Sequence, residues 1–323
     1  MQVSIPYNGE DHFLQEVLRP DVIGHVKEIY FAGDPAILPS GRRPKIKGAV
    51  RKKNGHYYFD RHIYHRQLRE LIGFSSVNSI STNLLLNFSG ILGKDGLRYV
   101  FRLLDMGVDT LTVGNIPLLE QLRKYFPKDI KIQNSVYIRI RTKEDLKLLI
   151  RMGISIFLLP PDFNDDFVKI YEFWSITKQN NITFKIMVNE GCIRFCPYRR
   201  SDQLASESYT ISSTIEDFIN NPLEMRTLTQ PCRSYMNKNG IRKSNFIHPG
   251  NISRYTSFDP YLKIVGREFD NKKISKCLRA YMSGKYDGDL REIVANFKHS
   301  VFPVMEYNSD LISFRVSGNE VQL

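Results

Sequence analysis

No run of about 18 uncharged apolar residues occurs in this sequence, which argues against a transmembrane helix. The opening residues, MQVSIPYNGEDHF, lack the basic-then-apolar layout of a secretory signal, so a cytoplasmic location with reduced thiols is expected. No G-x-G-x-x-G follows the first candidate strand, and a dinucleotide-binding fold loses its main support. H-E-x-x-H and G-x-S-x-G are both missing, so the zinc-peptidase and serine-hydrolase signatures are absent. Cysteine is scarce, at four in 323 residues. In a reducing compartment a small even number points to metal or catalysis before disulfides.

What is present is ordinary for a globular chain: 42% hydrophobic and 25% charged residues. The formal net charge of +12 suits attraction to nucleic acid or to an anionic small molecule, and equally a merely solvated basic surface.

Short β-branched or aliphatic runs recur: QVSIP (2–6), VKEIYFA (26–32), TNLLLN (82–87), DTLTVG (109–114), IKIQNSV (130–136), SIFLLP (155–160), TFKIMVN (183–189) and YLKIVGR (261–267). NFIHP (245–249) is a shorter ninth candidate. Amphipathic segments lie between them. One, 96–107, is expected to bury Leu97, Val100, Phe101 and Leu104. Another, 142–153, opens on a Thr cap and ends in Gly. Strands alternating with helices of this length imply parallel βα units. The fold expected is α/β: a (β/α)8 TIM-like barrel over residues 1–295, with a long basic insertion (32–81) after strand 2 and a short C-terminal extension (296–323). In such a barrel the residues at the C-terminal strand ends are the functional candidates. Here they are Asn8, Asn87, Gly114, Asn134, Asn189, His248 and Arg267, and for any single Asn turn chemistry competes with function.

Seven of the twelve residues from Arg42 to Lys53 are Lys or Arg, and Tyr57, Tyr58, Phe59 and Tyr64 follow. Cations beside aromatics suit a single-stranded nucleic acid. The competing reading is a solvated hairpin lid over the barrel mouth, its aromatics packed beneath. Residues 61–72 are expected to be helical. His56, His62 and His65 match no metal spacing and read as surface or hinge residues.

All four cysteines, Cys192, Cys196, Cys232 and Cys277, fall in the C-terminal part of the chain. The first two follow a strand end, in NEGCIRFCPYRR. Structural zinc prefers two closely spaced pairs, whereas Cys232 and Cys277 stand far apart. Four thiolates from separate loops suit a [4Fe–4S] cluster. A radical-SAM motif needs a third cysteine where Arg199 stands. Cluster, zinc and plain buried thiols all remain open on spacing.

VNEGCIRFCPYR, then PCRSYM, then FIHPGNISRYTSFDPYLKIVGRE, then AYMSGKYDGDL, together with SIPYNGE and NLLLN, resemble the U32 family over roughly residues 2–295. The family is labelled collagenase-like peptidases, and this chain resembles its short, single-barrel members. Its better-understood members look like iron–sulfur enzymes that hydroxylate RNA bases or a quinone precursor without O2. The resemblance implies that Cys192, Cys196, Cys232 and Cys277 ligate a [4Fe–4S] cluster at the barrel mouth, with prephenate as a cosubstrate. His248 stands where the family more often carries Arg or Lys.

Arg199, Arg233 and Arg267 are candidates to bind a carboxylate in bidentate fashion, or else to offset cluster charge or pair with nearby acids. Lys263 lies inside a barrel strand, a costly place for a charge unless it is paired or functional. Asn87, Asn134 and Asn189 are candidates to orient substrate, and Asn87, Asn189, His248 and Lys263 form the catalytic set. The partners implied are RNA through 42–53, a small anionic or aromatic substrate, or a second U32 subunit. The alternatives are a peptidase, for which Cys232 with His248 is the weak nucleophile–base pair on offer, and a binding protein with a structural zinc or iron–sulfur site.

Overall fold

The computed structural model describes residues 1–35, 37–38, 49–53, 56–197, 199, 243–295, 314–316 and 319–321. Eight parallel strands close into one barrel. We number them β1 (Gln2–Pro6), β2 (Val26–Ala32), β3 (Ser81–Leu86), β4 (Thr110–Val113), β5 (Lys131–Asn134), β6 (Ile156–Leu158), β7 (Thr183–Met187) and β8 (Tyr261–Lys263). Each strand pairs with its neighbour in sequence, and β8 closes on β1 through Gln2↔Tyr261, Val3↔Leu262 and Ser4↔Lys263. The helices are α1 (Phe13–Val17), α2 (Pro20–Ile23), α3 (Arg61–Val77), α4 (Lys94–Asp105), α5 (Ile116–Tyr125), α6 (Lys143–Arg151), α7 (Phe167–Gln179) and α8 (Asn271–Ser283). The expected (β/α)8 barrel is the fold observed.

Local chemistry explains the helix ends. Asn115 accepts from the Leu118 amide at 2.8 Å and starts α5. Thr142 and Asp145 form a reciprocal capping box on α6. α4 and α6 both run out through a Met-Gly pair, with Gly107 at φ 107° and Gly153 at φ 93°. Side chains other than glycine rarely adopt that backbone, so the two glycines turn the chain back into β4 and β6.

Two expectations are corrected. The buried stripe of α4 is Gly96, Tyr99, Val100 and Leu103, one position round from the predicted face. Phe101 is 39% exposed and stacks on Phe126, with ring centroids 4.2 Å apart. The phenol of Tyr99 turns the helix inward, because it accepts the Asp34 amide at 3.1 Å. NFIHP is not a strand. Pro249 opens a 3-10 stretch, Pro249–Phe258, and a residue without an N–H and with fixed φ cannot extend a ladder.

Between β2 and α3, Val50–Lys53 and His56–Phe59 form an antiparallel hairpin. Asp60 then caps α3 by accepting from the Ile63 amide at 3.1 Å. Residues 39–48, with most of the basic run, lie outside the described residues. A further antiparallel pair, Phe314–Val316 with Asn319–Val321, lies near the C-terminus.

The outward faces of the strands pack apolar residues under the helices, as Phe157 does against Phe173. The inward faces differ from the branched apolar layers usual in such barrels. Ser4, Glu28, Asn83, Thr112, Gln133 and Lys185 are all buried there. Glu28 accepts from Ser4 at 2.6 Å, Asn83 at 3.1 Å and Lys185 at 2.5 Å. Lys185 also donates to Gln133 at 2.9 Å, and Thr112 to Asn83 at 2.8 Å.

Candidate functional site

The C-terminal ends of the strands open into a cavity above this polar core. Tyr30, Asn87, Glu190, Lys263, Arg267 and Glu268 line it. Lys263 is 4% exposed, and its ammonium nitrogen sits 4.2 Å from the centroid of the Tyr30 ring. Tyr30 is oriented by its own hydroxyl, which donates to the Ile264 carbonyl at 2.8 Å. Arg267 is buried at the rim. The Asn87 side-chain oxygen is buried without a hydrogen-bond partner among the described residues.

Charge in the core is unevenly shared. Burial opposes ionisation of Glu28, but Lys185 and Lys263 outweigh it and hold the carboxyl below its usual range. Burial pushes the Lys263 amine down to about 7, because Glu28 offsets it only in part and Lys185 and Arg267 add to the effect.

The other predicted residues are placed as follows. Asn189 spends its amide on backbone: it donates to Val265 O at 2.8 Å and Ile293 O at 3.0 Å, and accepts from Val265 N at 2.7 Å. Asn134 does the same across β5 and β6, donating to Leu158 O at 2.9 Å and accepting from Leu158 N at 2.8 Å. Asn8 donates to Phe269 O at 2.9 Å and to Asn271 at 3.0 Å. Gly114 lies against backbone, where an added Cβ would sit 2.8 Å from Phe88 O. His248 caps the 3-10 stretch, its Nδ1 accepting from the Gly250 amide at 3.1 Å, and burial pushes its imidazole down.

Cys192 and Cys196 stand in a turn just past β7. Asp162, which sequence reasoning missed, staples that turn from the segment after β6. It accepts from the Phe195 amide at 2.8 Å and from Arg199 at 2.7 Å. Arg199 also donates to Ile193 O at 2.8 Å. Burial opposes its charge, but Asp162, Cys192 and Glu190 outweigh it and hold the guanidinium above its usual range. Of the three readings offered for Arg199, the structure gives it a salt bridge to a nearby acid.

Cys277 projects from α8 to the same end of the barrel. Its thiol donates to Ile293 O at 3.3 Å, with the Asn189 amide 4.0 Å away. Burial pushes this thiol up to about 12. Among the described residues, Cys192, Cys196 and Cys277 form no disulfide. Among the described residues no three His, Cys, Asp or Glu side chains converge as a metal site. Cys232 and Arg233 lie outside the described residues. The donor set suits a soft metal or cluster in kind and in its end of the barrel, and three thiols alone do not close a site.

Asp34 was also missed. It is fully buried past β2 and accepts from Arg61 at 2.7 Å and from His65 at 3.1 Å. These contacts anchor α3, so His65 serves to hold a helix. A single Asp after a strand carries no pattern that would have flagged it.

No protein-family model matches the chain. The chain is similar to the uncharacterized protease MJ1657 of Methanocaldococcus jannaschii, with 22% identity over 238 residues that cover 70% of this chain and 68% of that protein. Among solved structures, that of the U32 peptidase Mk0906 superposes at a TM-score of 0.46, with 16% identity over 69% of this chain and 83% of that one. A dipeptide epimerase from Methylococcus capsulatus, complexed with a Mg ion, reaches 0.35, with 12% identity over 65% of this chain and 52% of that one.

Proposed function

We infer that this chain is a U32-type barrel protein and an enzyme, acting at the C-terminal mouth on a small carboxylate-bearing, unsaturated or aromatic substrate. One observation carries the substrate class: the Arg267 guanidinium and the Lys263 amine are both buried in the wall of one cavity with the Tyr30 ring and the Asn87 oxygen. Burying basic side chains in a cavity wall is costly, and a bound anion gives them a favourable ligand there. In this reading Arg267 grips the carboxylate through its fork, Tyr30 offers a ring face, and Asn87 accepts from a donor on the substrate.

The four cysteines are the proposed ligands of a [4Fe–4S] cluster, and O2-independent hydroxylation or a related redox reaction is the chemistry. Such a cluster supplies one-electron transfer beside the substrate. The chain's own part is to bind and orient. Asp162 and Arg199 hold the turn that carries Cys192 and Cys196, and Asn189 ties Val265 of the mouth to Ile293 beneath Cys277. A larger RNA substrate through the basic 42–53 segment, or a peptide as the names of the similar proteins imply, is separated by the same experiments.

Anaerobic purification is the first test. A brown protein with about four irons per chain is expected, and Cys192→Ser should lose the colour. A colourless protein that stays folded and active with all four cysteines replaced by Ser would sink the cluster. Mass spectrometry of RNA and of small aromatic metabolites from a deletion strain then separates the substrates. Loss of one hydroxylated species supports the reading, and intact hydroxylation with altered peptide turnover supports peptidase action.

A further inference from the structure

We propose that Lys263 captures a carbonyl: its side-chain amine forms an imine with a 2-oxo acid whose carboxylate is held by Arg267. This rests on the mouth-site reading above and deepens it by naming a functional group of the ligand.

The geometry begins with Glu28. It is the one carboxylate in the polar layer beneath Lys263 among the described residues, and it is already committed. Lys185 pairs with it at 2.5 Å, Ser4 donates to one oxygen at 2.6 Å and Asn83 to the other at 3.1 Å. Lys185 is therefore the lysine that the core neutralises. Lys263 is in register with Ser4 on one side and Met187 on the other; its backbone is paired, with its carbonyl accepting from Val188 N at 3.1 Å, but its side-chain amine makes no hydrogen bond among the described residues. That amine lies over the Tyr30 ring face, 4.2 Å from its centroid. A purely structural site would favour an apolar side chain here, because a buried amine without an acceptor costs stability. The groups facing it are Glu28 and Tyr30 from β2, Lys185 from β7, Glu190 past β7, and Arg267 with Glu268 past β8. Burial first, and then the cations Lys185 and Arg267, push the amine down to about 7, so that a large share of it is unprotonated at neutral pH. An unprotonated amine is the nucleophile that such chemistry requires.

The step balances without a redox partner. The amine lone pair forms the C–N bond as the carbonyl π bond breaks. The two amine hydrogens then leave with the carbonyl oxygen as water. The imine nitrogen takes a proton from solvent, and the resulting cation lies close enough to Glu28 to be stabilised by it.

The test is reductive trapping. The purified full-length chain is incubated with pyruvate and cyanoborohydride at pH 7, and modified lysines are mapped by peptide mass spectrometry. Lys263 should label on the order of a hundredfold faster than an exposed lysine, whose amine is almost wholly protonated at that pH. Arg267→Gln should slow trapping of pyruvate while leaving trapping of a neutral aldehyde comparatively fast. Label spread over surface lysines with none on Lys263 overturns the proposal, and that result needs no variant to fold. Trapping needs no iron. Label on Lys263 in an iron-free preparation therefore keeps this inference while removing the cluster, and iron without label does the reverse.

Discussion

At the scale of single residues, the barrel interior holds two lysines of different character. Lys185 has a carboxylate and Lys263 has none of its own. The stability consequence has a definite sign. The amine of Lys263 is pushed down to about 7 in the folded chain and returns to an ordinary lysine value when unfolded. Between those values the unfolded chain binds the extra proton, so stability rises with pH across that window. Lys263→Met should therefore stabilise the protein by roughly 2–4 kcal/mol at pH 6 to 7. The gain should shrink as pH approaches 10. Urea midpoints of both proteins across this range check it, and a gain independent of pH contradicts it. Asn189 is a residue of the opposite kind. Its three backbone bonds join the mouth to the segment before Ala295. Asn189→Ala should cost about 2–4 kcal/mol by leaving buried backbone groups unpaired, read as a fall in the thermal midpoint.

At the scale of elements, the helices follow their sequence signals closely. The Thr142 cap and the Gly153 exit bracket α6 as the residues predict. Thr142→Ala should cost about 1 kcal/mol, since it frees the Asp145 amide of its cap; native-state hydrogen exchange in the first turn of α6 is the readout. The α4 face was legible only to within one position. Periodicity fixes the width of an apolar stripe, whereas its rotation was set by one phenol reaching Asp34. The turn carrying Cys192 and Cys196 was not legible as a structure at all. Asp162 holds it from another βα connection, and nothing local announces that pairing. Asp162→Ala should loosen the turn and speed alkylation of Cys192 several-fold, measured with iodoacetamide on the iron-free protein; an unchanged rate would show that the turn holds without Asp162, through contacts such as the bond Arg194 donates to Ser244 O at 2.8 Å.

For the whole molecule, the closed barrel buries an ion pair in its centre. Glu28→Gln leaves Lys185 without its counter-charge and should destabilise by about 3–5 kcal/mol, the usual cost of breaking a buried pair. Glu28 has a folded-state pKa below its unfolded one. Its contribution is therefore present above the ordinary carboxyl range and is lost as pH falls through the folded value, so the wild-type chain should acid-unfold with this group among its triggers. Acid titration followed by circular dichroism, wild type against the variant, checks the sign: the variant should be weaker at pH 7 and less sensitive to acid.

The sequence by itself determined the eight barrel strands, with NFIHP as a ninth that the structure removes, their parallel order, and the Thr142 cap and glycine exits of the helices. Those are local or nearest-neighbour properties, and short-range patterns encode them. Tertiary structure alone decided that the barrel interior is polar, because Lys185 and Glu28 stand 157 positions apart and Ser4 and Glu28 stand 24 apart. It also decided which candidate residues face the cavity. Asn87, Lys263 and Arg267 line it, while Asn189, Asn134 and Arg199 spend their hydrogen bonds on the frame. The same side-chain chemistry serves either purpose, and only closure of the barrel determines which groups meet backbone and which meet open space.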